Sequence, residues 1–207
     1  MTRLILIRHG ETEWNAAGRF QGWADIPLSG LGLAQARALG RRFARGELQA
    51  DLVVASPLQR AIQTAQPVAE AVGAPFFVDE RFKEINYGKW DGLTFRELKT
   101  TYGEEFLAFI REPHKNPFPG DGCLQNVLDR VTEGLADLLC PENAGKNLVV
   151  VSHAGIVRLS IFSLLGWNPG LFNSLGLDNT GVSVVELWDN GRRVLRTLND
   201  HSHLAEV

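Results

Sequence analysis

Short apolar runs recur along the chain and are separated by longer amphipathic stretches. The runs occupy residues 4–7, 52–55, 76–78 and 148–151. A run of about four apolar residues is too short for a lone helix, and the absence of alternating polar positions is typical of a strand covered on both faces. The pattern therefore predicts four strands of a buried, mostly parallel sheet.

The intervening stretches carry apolar residues at helical spacing. The clearest stripe lies between residues 124 and 138, and a second lies between residues 61 and 72. Ser29 is suited to cap another helix. The apolar positions of that helix are more loosely spaced, at Leu31, Ala34, Leu39 and Phe43. Thr94 and Glu97 have the spacing of a capping box, which predicts a short helix before another at residues 104–110.

A turn pattern near the C-terminus completes the predicted fold. Asp189, Asn190 and Gly191 separate apolar stretches at residues 182–188 and 193–198, which is typical of a β-hairpin. Alternating strands and helices precede it, so the fold class is α/β: a three-layer α/β/α sandwich with a mostly parallel central sheet and a late hairpin at one side. We expect a single domain over residues 1–207, with a small helical lid inserted at about residues 92–123.

Composition and charge exclude several classes of partner. The chain has a net charge of −3, and its Lys and Arg residues form no block longer than a pair, which argues against nucleic acid. No apolar stretch approaches the length of about 18 residues needed to span a membrane. The two cysteines are too few for a disulfide framework, and the N-terminus lacks the pattern of a secretion signal. We therefore expect a cytoplasmic location.

Charged residues follow the predicted strands where ligands bind in α/β sheets. Arg8 and His9 end the first strand, Arg60 lies near the start of the helix after the second, and His153 ends the fourth. Glu84 lies in the glycine-containing loop after the third strand. Two arginines, two histidines and a helix N-terminus predict an anion site, since Arg forms bidentate contacts with phosphate oxygens.

The same segments resemble the histidine phosphatase superfamily, the phosphoglycerate-mutase-like enzymes. The sequence Arg-His-Gly-Glu-Thr-Glu-Trp-Asn at residues 8–15 is similar to the family signature. Residues 56–65 are similar to its second arginine motif, residues 84–92 to its acid loop, and residues 151–155 to its second histidine motif. The four matches occur in the family's order and extend over nearly the whole chain.

The resemblance implies covalent catalysis without a metal or other cofactor. His9 would attack phosphorus, with its other ring nitrogen held by a backbone carbonyl, and Glu84 would protonate the leaving oxygen and later activate water. Three residues would stabilise the equatorial oxygens: Arg8, Arg60 and His153. The resemblance adds the side chains of Asn15 and Gln21 and the backbone amide of Ala154 to the phosphate site. Trp23, in the loop at residues 18–27, is a candidate pocket-lining residue.

The sequence is compatible with three functions. The first is a metal-independent phosphomonoesterase that hydrolyses a small phosphorylated metabolite through a phosphohistidine. The second is a cofactor-dependent phosphoglycerate mutase; mutases of the family are generally longer and carry Arg-His-Tyr-Gly at the acid loop, whereas Glu84 is followed here by Ile-Asn-Tyr-Gly-Lys-Trp-Asp-Gly. The third, a non-catalytic phosphate-binding protein, ranks last because the nucleophile and the acid are both present.

Substrate and assembly also remain open. Residues 112–115 and 177–179 resemble bacterial phosphoserine phosphatases, but Tyr87 stands where that group tends to carry His. Residues 120–123 are Gly-Asp-Gly-Cys where many relatives have Gly-Gly-Glu-Ser. The candidate substrates are phosphoserine, alpha-ribazole phosphate, phosphoglycerate or a broad range of phosphate esters. A homodimer is also compatible with the sequence. His201 and His203 lack a carboxylate or Cys companion, so we interpret them as structural or surface residues.

Overall fold

Six strands form one sheet that is flanked by helices. The computed structural model describes the backbone of residues 1–207 and every side chain except that of Glu206. The strands are β1 Thr2–Arg8, β2 Leu52–Ala55, β3 Phe76–Val78, β4 Asn147–Ser152, β5 Val182–Leu187 and β6 Arg193–Asp200. The α-helices are α1 Glu13–Ala16, α2 Gly30–Ala44, α3 Gln59–Val72, α4 Phe95–Arg111, α5 Leu124–Leu138 and α6 Ala154–Leu165. The predicted strands and the late hairpin are confirmed.

The strand order brings the ends of the central strands together. The order is β3-β2-β4-β1-β5-β6, and within the group β1 to β4 every pair of neighbouring strands is parallel. Only β5 runs antiparallel, to β1 on one side and to β6 on the other. Because parallel strands end at the same edge of a sheet, the residues after β1, β2 and β4 share one crevice.

Alternate residues of β1 face two separate apolar layers. Ile5 and Ile7 pack into a cluster with residues of α2 and α3, whereas Leu4 and Leu6 pack into a cluster with residues of α4, α5 and α6. All four side chains are almost fully buried. This period of two confirms that the first strand is covered on both faces and that the fold is a three-layer sandwich.

The stripe predicted for α2 is partly wrong. The Ser29 hydroxyl accepts a hydrogen bond from the backbone of Gly32, so the predicted cap is correct. Leu31, however, is 46% exposed. Leu39 and Phe43 are buried as predicted, and α2 also approaches α3 closely, since a Cβ on Gly40 would lie 2.8 Å from the carbonyl oxygen of Pro67. The predicted spacing is therefore correct for Leu39 and Phe43 and wrong for Leu31, which lies in the first turn of the helix.

The two helices predicted after residue 94 form α4. Thr94 and Glu97 make the predicted capping box. The helical geometry is interrupted at Gly103, with φ 51° and ψ −121°, so two helical segments meet there. Phe106 and Phe109 of the second segment are buried in the core. Among the described residues, no helix combines the length and apolar character needed to cross a membrane.

Candidate active site

The ends of β1 and β4 place two histidines side by side. Arg8 is in register with Ser152, and the next residue on each chain is a histidine. The backbone N–H of His9 donates to the carbonyl of Ser152 at 2.8 Å. The ring centroids of His9 and His153 lie 5.1 Å apart in an edge-to-face arrangement. The two predicted histidines therefore share one pocket at the carboxyl edge of the sheet.

His9 is held in a single tautomer. Its Nδ1 lies 2.7 Å from the carbonyl oxygen of Gly10, and because a carbonyl only accepts, Nδ1 carries the proton and Nε2 keeps its lone pair. Burial, together with the charges of Arg60 and Arg8, holds the pKa of His9 well below its usual range. A neutral imidazole with a free Nε2 can act as a nucleophile at neutral pH.

Arg60 and His153 form a buried network. Arg60 donates from Nη1 to the carbonyl of Ala24 and from Nη2 to that of Gly22, both at 2.7 Å. Its Nε donates to Nδ1 of His153 at 3.2 Å, so Nε2 of that ring carries the proton and donates to the Ser56 hydroxyl at 2.7 Å. Burial, and next the charge of Arg60, hold the pKa of His153 well below its usual range. Both His153 nitrogens thus have protein partners.

The loop after β1 supplies amide groups to the same pocket. The Gln21 Oε1 accepts from the Thr12 hydroxyl at 2.9 Å, whereas its Nε2 is buried without a partner. Oδ1 of Asn15 accepts from the backbone N–H of Thr12 at 3.2 Å, so its own Nδ2 is free to donate elsewhere. A buried donor without a partner is destabilising, and a ligand oxygen would satisfy it.

Arg8 adds a second guanidinium with unused hydrogen-bonding capacity. Its Nη1 donates to the carbonyl of Leu177 at 2.6 Å, and its Nε is buried without a partner. Burial lowers the pKa of Arg8, yet an arginine stays protonated at neutral pH. The guanidiniums of Arg8 and Arg60 and the amide of Gln21 are groups suited to bind an anion such as phosphate.

Glu84 is the carboxyl group of the pocket. It is only 6% exposed, and burial raises its pKa despite two backbone donors and the charge of Arg60. Oε1 accepts from the N–H of Ile85 at 2.9 Å, and Oε2 lies 3.4 Å from the N–H of Gly155. A Cβ on Gly155 would lie 2.6 Å from Glu84 Oε1, so this glycine is needed for the carboxyl position. A buried carboxyl with a raised pKa can deliver a proton.

The family assignment follows from a match over almost the whole chain. The sequence model of the histidine phosphatase superfamily (branch 1) matches residues 4–201. The chain belongs to this superfamily. Phosphoserine phosphatase 1 of Hydrogenobacter thermophilus is 37% identical over 206 residues, covering 100% of this chain and 96% of the relative.

Solved structures of the superfamily share the fold. A phosphoserine phosphatase mutant from Entamoeba histolytica in complex with phosphoserine is 34% identical, with a TM-score of 0.83 over 99% of this chain and 100% of that one. Phosphoserine phosphatase from the same organism in complex with 3-phosphoglyceric acid is 36% identical, with a TM-score of 0.85 over 99% and 100% of the two chains. These likenesses support a phosphatase.

In this histidine phosphatase, Trp23 supports the acid loop. Its Nε1 donates to the carbonyl oxygen of Glu84 at 2.8 Å, and the Nζ of Lys83 lies 4.2 Å from its ring centroid. The side chain is nevertheless 41% exposed, so one face of the ring is available to solvent. The hydrogen bond from Trp23 to the backbone of Glu84 was not expected from the sequence. A contact between Trp23 and substrate stays a prediction.

Sequence analysis missed the role of Asp91. Its carboxylate accepts from the backbone N–H groups of Gly22, Trp23 and Ala24 at 2.8, 3.0 and 3.2 Å. The carbonyls of Gly22 and Ala24 in turn hold Arg60, so Asp91 fixes the loop that positions this guanidinium. The location of Asp91 in the acid-loop motif was the available signal.

Three other polar residues near the site were also missed. Arg130 donates to the carbonyl of Lys83 at 2.6 Å and lies 3.3 Å from that of Glu84, which supports the acid loop from α5. The others are Arg158 and Asn179, on α6 and in the segment before β5. An isolated arginine on an otherwise apolar helix was the signal for Arg158. Ala154, a predicted phosphate contact, is the first residue of α6, where its amide role stays a prediction.

The C-terminal histidines have separate surroundings. His203 Nε2 lies 3.0 Å from the Thr180 hydroxyl, whereas His201 is exposed. Over the part of the chain that the structure describes, no group of three or more His, Cys, Asp or Glu side chains could hold a metal ion. The interpretation of His203 as a structural residue agrees with its contact.

Proposed function

We propose that this chain is a metal-independent phosphomonoesterase that hydrolyses a small phosphorylated metabolite through a phosphohistidine at His9. The observation that carries the proposal is the hydrogen bond from Nδ1 of His9 to the Gly10 carbonyl, which leaves a neutral Nε2 in a pocket lined by guanidiniums. Buried Glu84, with its raised pKa, supplies the acid. The relatives named phosphoserine phosphatase make phosphoserine the first substrate to test.

The reaction has two steps. In the first, the Nε2 lone pair of His9 forms a bond to phosphorus, the ester P–O bond breaks, and Glu84 gives its proton to the leaving oxygen. In the second, the Glu84 carboxylate takes a proton from water while the water oxygen bonds to phosphorus. The P–N bond then breaks and returns the lone pair to Nε2. Arg8 and Arg60 stabilise the charge on the equatorial oxygens in both steps.

The remaining site assignments follow from position and hydrogen-bonding capacity. The free amide groups of Gln21 and Asn15 are suited to donate to phosphate oxygens. For His153 the role is narrower than the resemblance implies, because its Nδ1 accepts from Arg60 and its Nε2 donates to Ser56. We assign it the orientation of Arg60, and contact with phosphate then requires release of the Ser56 hydroxyl.

The lid and the single-domain organisation of residues 1–207 belong to the same proposal. Residues 92–123 follow the acid loop in sequence and return to it, since Asp121 Oδ2 accepts from the N–H of Asn86 at 2.7 Å. Phe106 and Phe109 anchor the helical part in the core, so the loop at residues 113–122 is the segment suited to close over substrate. Cytoplasmic location and homodimer formation stay predictions, to be tested by fractionation and light scattering.

Trapping the covalent intermediate tests the function. Wild-type protein quenched in alkali during turnover of ³²P-phosphoserine should carry alkali-stable, acid-labile label. His9→Ala should carry none and should lose at least about 10³-fold in activity. His201→Ala, at an exposed histidine, is the matched control. A fully active His9→Ala protein would contradict the mechanism. Transfer of label to 3-phosphoglycerate in preference to water would favour the mutase instead.

A further inference from the structure

Arg158 is a half-buried cation without a counter-ion. It lies one turn into α6, donates from Nε to the carbonyl oxygen of Leu175 at 2.9 Å, and stacks its guanidinium 5.1 Å from the ring centroid of Phe172. Among the described residues, no carboxylate forms an ion pair with it, and none is a hydrogen-bond partner of its two terminal nitrogens. Removal of a charge from water without a partner is unfavourable, so such a group is suited to receive an anion.

The same segment that holds Arg158 also holds Arg8. The Leu175 carbonyl accepts from Arg158 and the Leu177 carbonyl accepts from Arg8, at 2.6 Å in the second case. In extended chain, positions two residues apart are separated by about 7 Å. Both guanidiniums are therefore anchored on one short segment, and they are close enough for the charge of Arg158 to contribute to the lowered pKa of Arg8.

The position of Arg158 on α6 relates it to the acid as well. Gly155 N–H faces Glu84 Oε2 at 3.4 Å, and Arg158 lies three residues further along the same helix, on the same face. Burial lowers the pKa of Arg158, and the nearby Tyr87 and Glu84 oppose that shift. Since the carboxyl protonates the leaving oxygen in the proposed mechanism, Arg158 lies on the leaving-group side of phosphorus.

We propose that Arg158 binds a carboxylate on the alcohol portion of the substrate, and so selects phosphorylated hydroxy acids over phosphates of neutral or purely cationic alcohols. This inference rests on the proposed function. The fork of two free terminal nitrogens matches the two oxygens of a carboxylate, and the stacking on Phe172 keeps the fork in a fixed orientation. Phosphate occupies Arg8 and Arg60, the ester oxygen faces Glu84, and the carboxylate faces Arg158.

The alternative is that Arg158 only supports the chain at Leu175. These two roles predict different substrate dependence, because a supporting role affects every phosphate ester alike. Phosphoserine and O-phosphoethanolamine distinguish them, since both have a primary phosphate ester and the same amino group, and only phosphoserine has a carboxylate. Kinetics on this pair therefore isolate the proposed contact.

The experiment compares Arg158→Gln and Arg158→Lys with the wild-type protein. Arg158→Gln should lower kcat/KM for phosphoserine about 10- to 100-fold, the range for loss of hydrogen bonds to a charged group, and should change that for O-phosphoethanolamine less than about threefold. Arg158→Lys keeps the charge but not the two-nitrogen fork, so its kcat/KM for phosphoserine should lie between the values of the wild-type protein and Arg158→Gln. Arg37→Gln, on the exposed face of α2, should change neither value.

The possible outcomes separate this inference from the function on which it rests. Equal losses on both esters would assign Arg158 to structural support and overturn the inference, as would no loss on either. Wild-type protein that hydrolyses O-phosphoethanolamine as well as phosphoserine would overturn it while leaving the phosphatase intact. Failure of wild-type protein to release phosphate from any ester or to form a phosphohistidine would overturn the proposed function, and this inference with it.

Discussion

The side-chain amide of Asn179 donates from Nδ2 to the carbonyl oxygen of His9 at 2.9 Å. The same nitrogen lies 3.3 Å from Oδ1 of Asn15. One amide therefore fixes the backbone of the proposed nucleophile and the orientation of a predicted phosphate ligand. Because Asn15 Oδ1 is occupied by Asn179 and by the N–H of Thr12, the Asn15 Nδ2 is the atom left to face phosphate.

Substitution of Asn179 should impair activity more than folding. Asn179→Ala removes both contacts, and we expect kcat/KM to fall about 10-fold. Asn179→Asp should fall further, about 100-fold, because its oxygens would face two acceptors. Steady-state kinetics and urea unfolding measure the two effects. Asn190→Ala, in the exposed hairpin turn, is the control. Asn179→Asp protein with wild-type activity would show that this orientation is unimportant.

Gly155→Ala tests whether the position of the carboxyl depends on a missing side chain. An added Cβ would lie 2.6 Å from Glu84 Oε1 and 2.7 Å from Ile85 Cδ1, so the acid loop must move. We expect a stability loss of about 1–3 kcal/mol and a loss of activity that is larger for alkyl than for nitrophenyl phosphates. Gly30→Ala is the control, since an added Cβ there meets nothing within 4 Å. Unchanged kinetics in Gly155→Ala would contradict the assigned acid.

Much of the fold is predictable because local patterns and tertiary packing agree. The run at residues 4–7 is apolar on both faces, and β1 is buried on both faces. The prediction failed at Leu31, and the apolar spacing gave no sign of the close approach of α2 to α3 at Gly40 and Pro67. Apolar spacing records side-chain size and polarity, whereas the close approach of two backbones depends on a partner far away in sequence.

The site residues also differ in how far local sequence patterns predict their positions. Arg8, His9, Arg60 and His153 follow strands, so a strand prediction already places them together. Asn179 lies in an irregular segment and reaches His9 across 170 residues, a distance that no local pattern encodes. Asp91 accepts hydrogen bonds from backbone N–H groups. Because nearly every residue type has such a group, the sequence of the loop does not indicate this contact. Residues that position a site are therefore harder to predict than residues that make contact with the ligand.

Glu84→Gln should separate leaving groups. Since the raised pKa lets Glu84 act as an acid, its loss should slow hydrolysis of alkyl phosphates about 10²- to 10⁴-fold. For nitrophenyl phosphate, whose leaving group needs no proton, the rate of the first step should fall about 10-fold or less. Rapid-quench kinetics of phosphohistidine formation measure that step directly. Equal losses on the two substrates would assign Glu84 a role other than protonation of the leaving group.

The same substitution should stabilise the fold near neutral pH. An unfolded Glu has a pKa of about 4.3, and burial raises the folded value above it. Below the unfolded pKa both states are protonated and stability is complete; as pH rises through the folded pKa, the unfolded chain ionises more readily and stability is lost. Glu84→Gln should therefore gain free energy of unfolding relative to wild type from pH 4 to pH 7. A pH-independent difference would contradict the raised pKa.

His203 should make the fold sensitive to acid. Burial, and next the charge of Arg42, lower its pKa to about 4, whereas an unfolded His titrates near 6.5. Its contribution to stability is complete above the unfolded pKa and is lost as pH falls from 6.5 towards 4, because the unfolded chain takes up the proton first. His9 and His153 act in the same direction.

His203→Gln should therefore reduce the slope of unfolding free energy against pH without abolishing it. The reduction should be less than about 1.4 kcal/mol per pH unit, which is the limit for one proton. Urea unfolding at pH 7, 6 and 5 measures the slope, with exposed His114→Gln as the control. If the two variants have the same slope, the pKa of His203 is not lowered in the folded protein and the prediction is wrong.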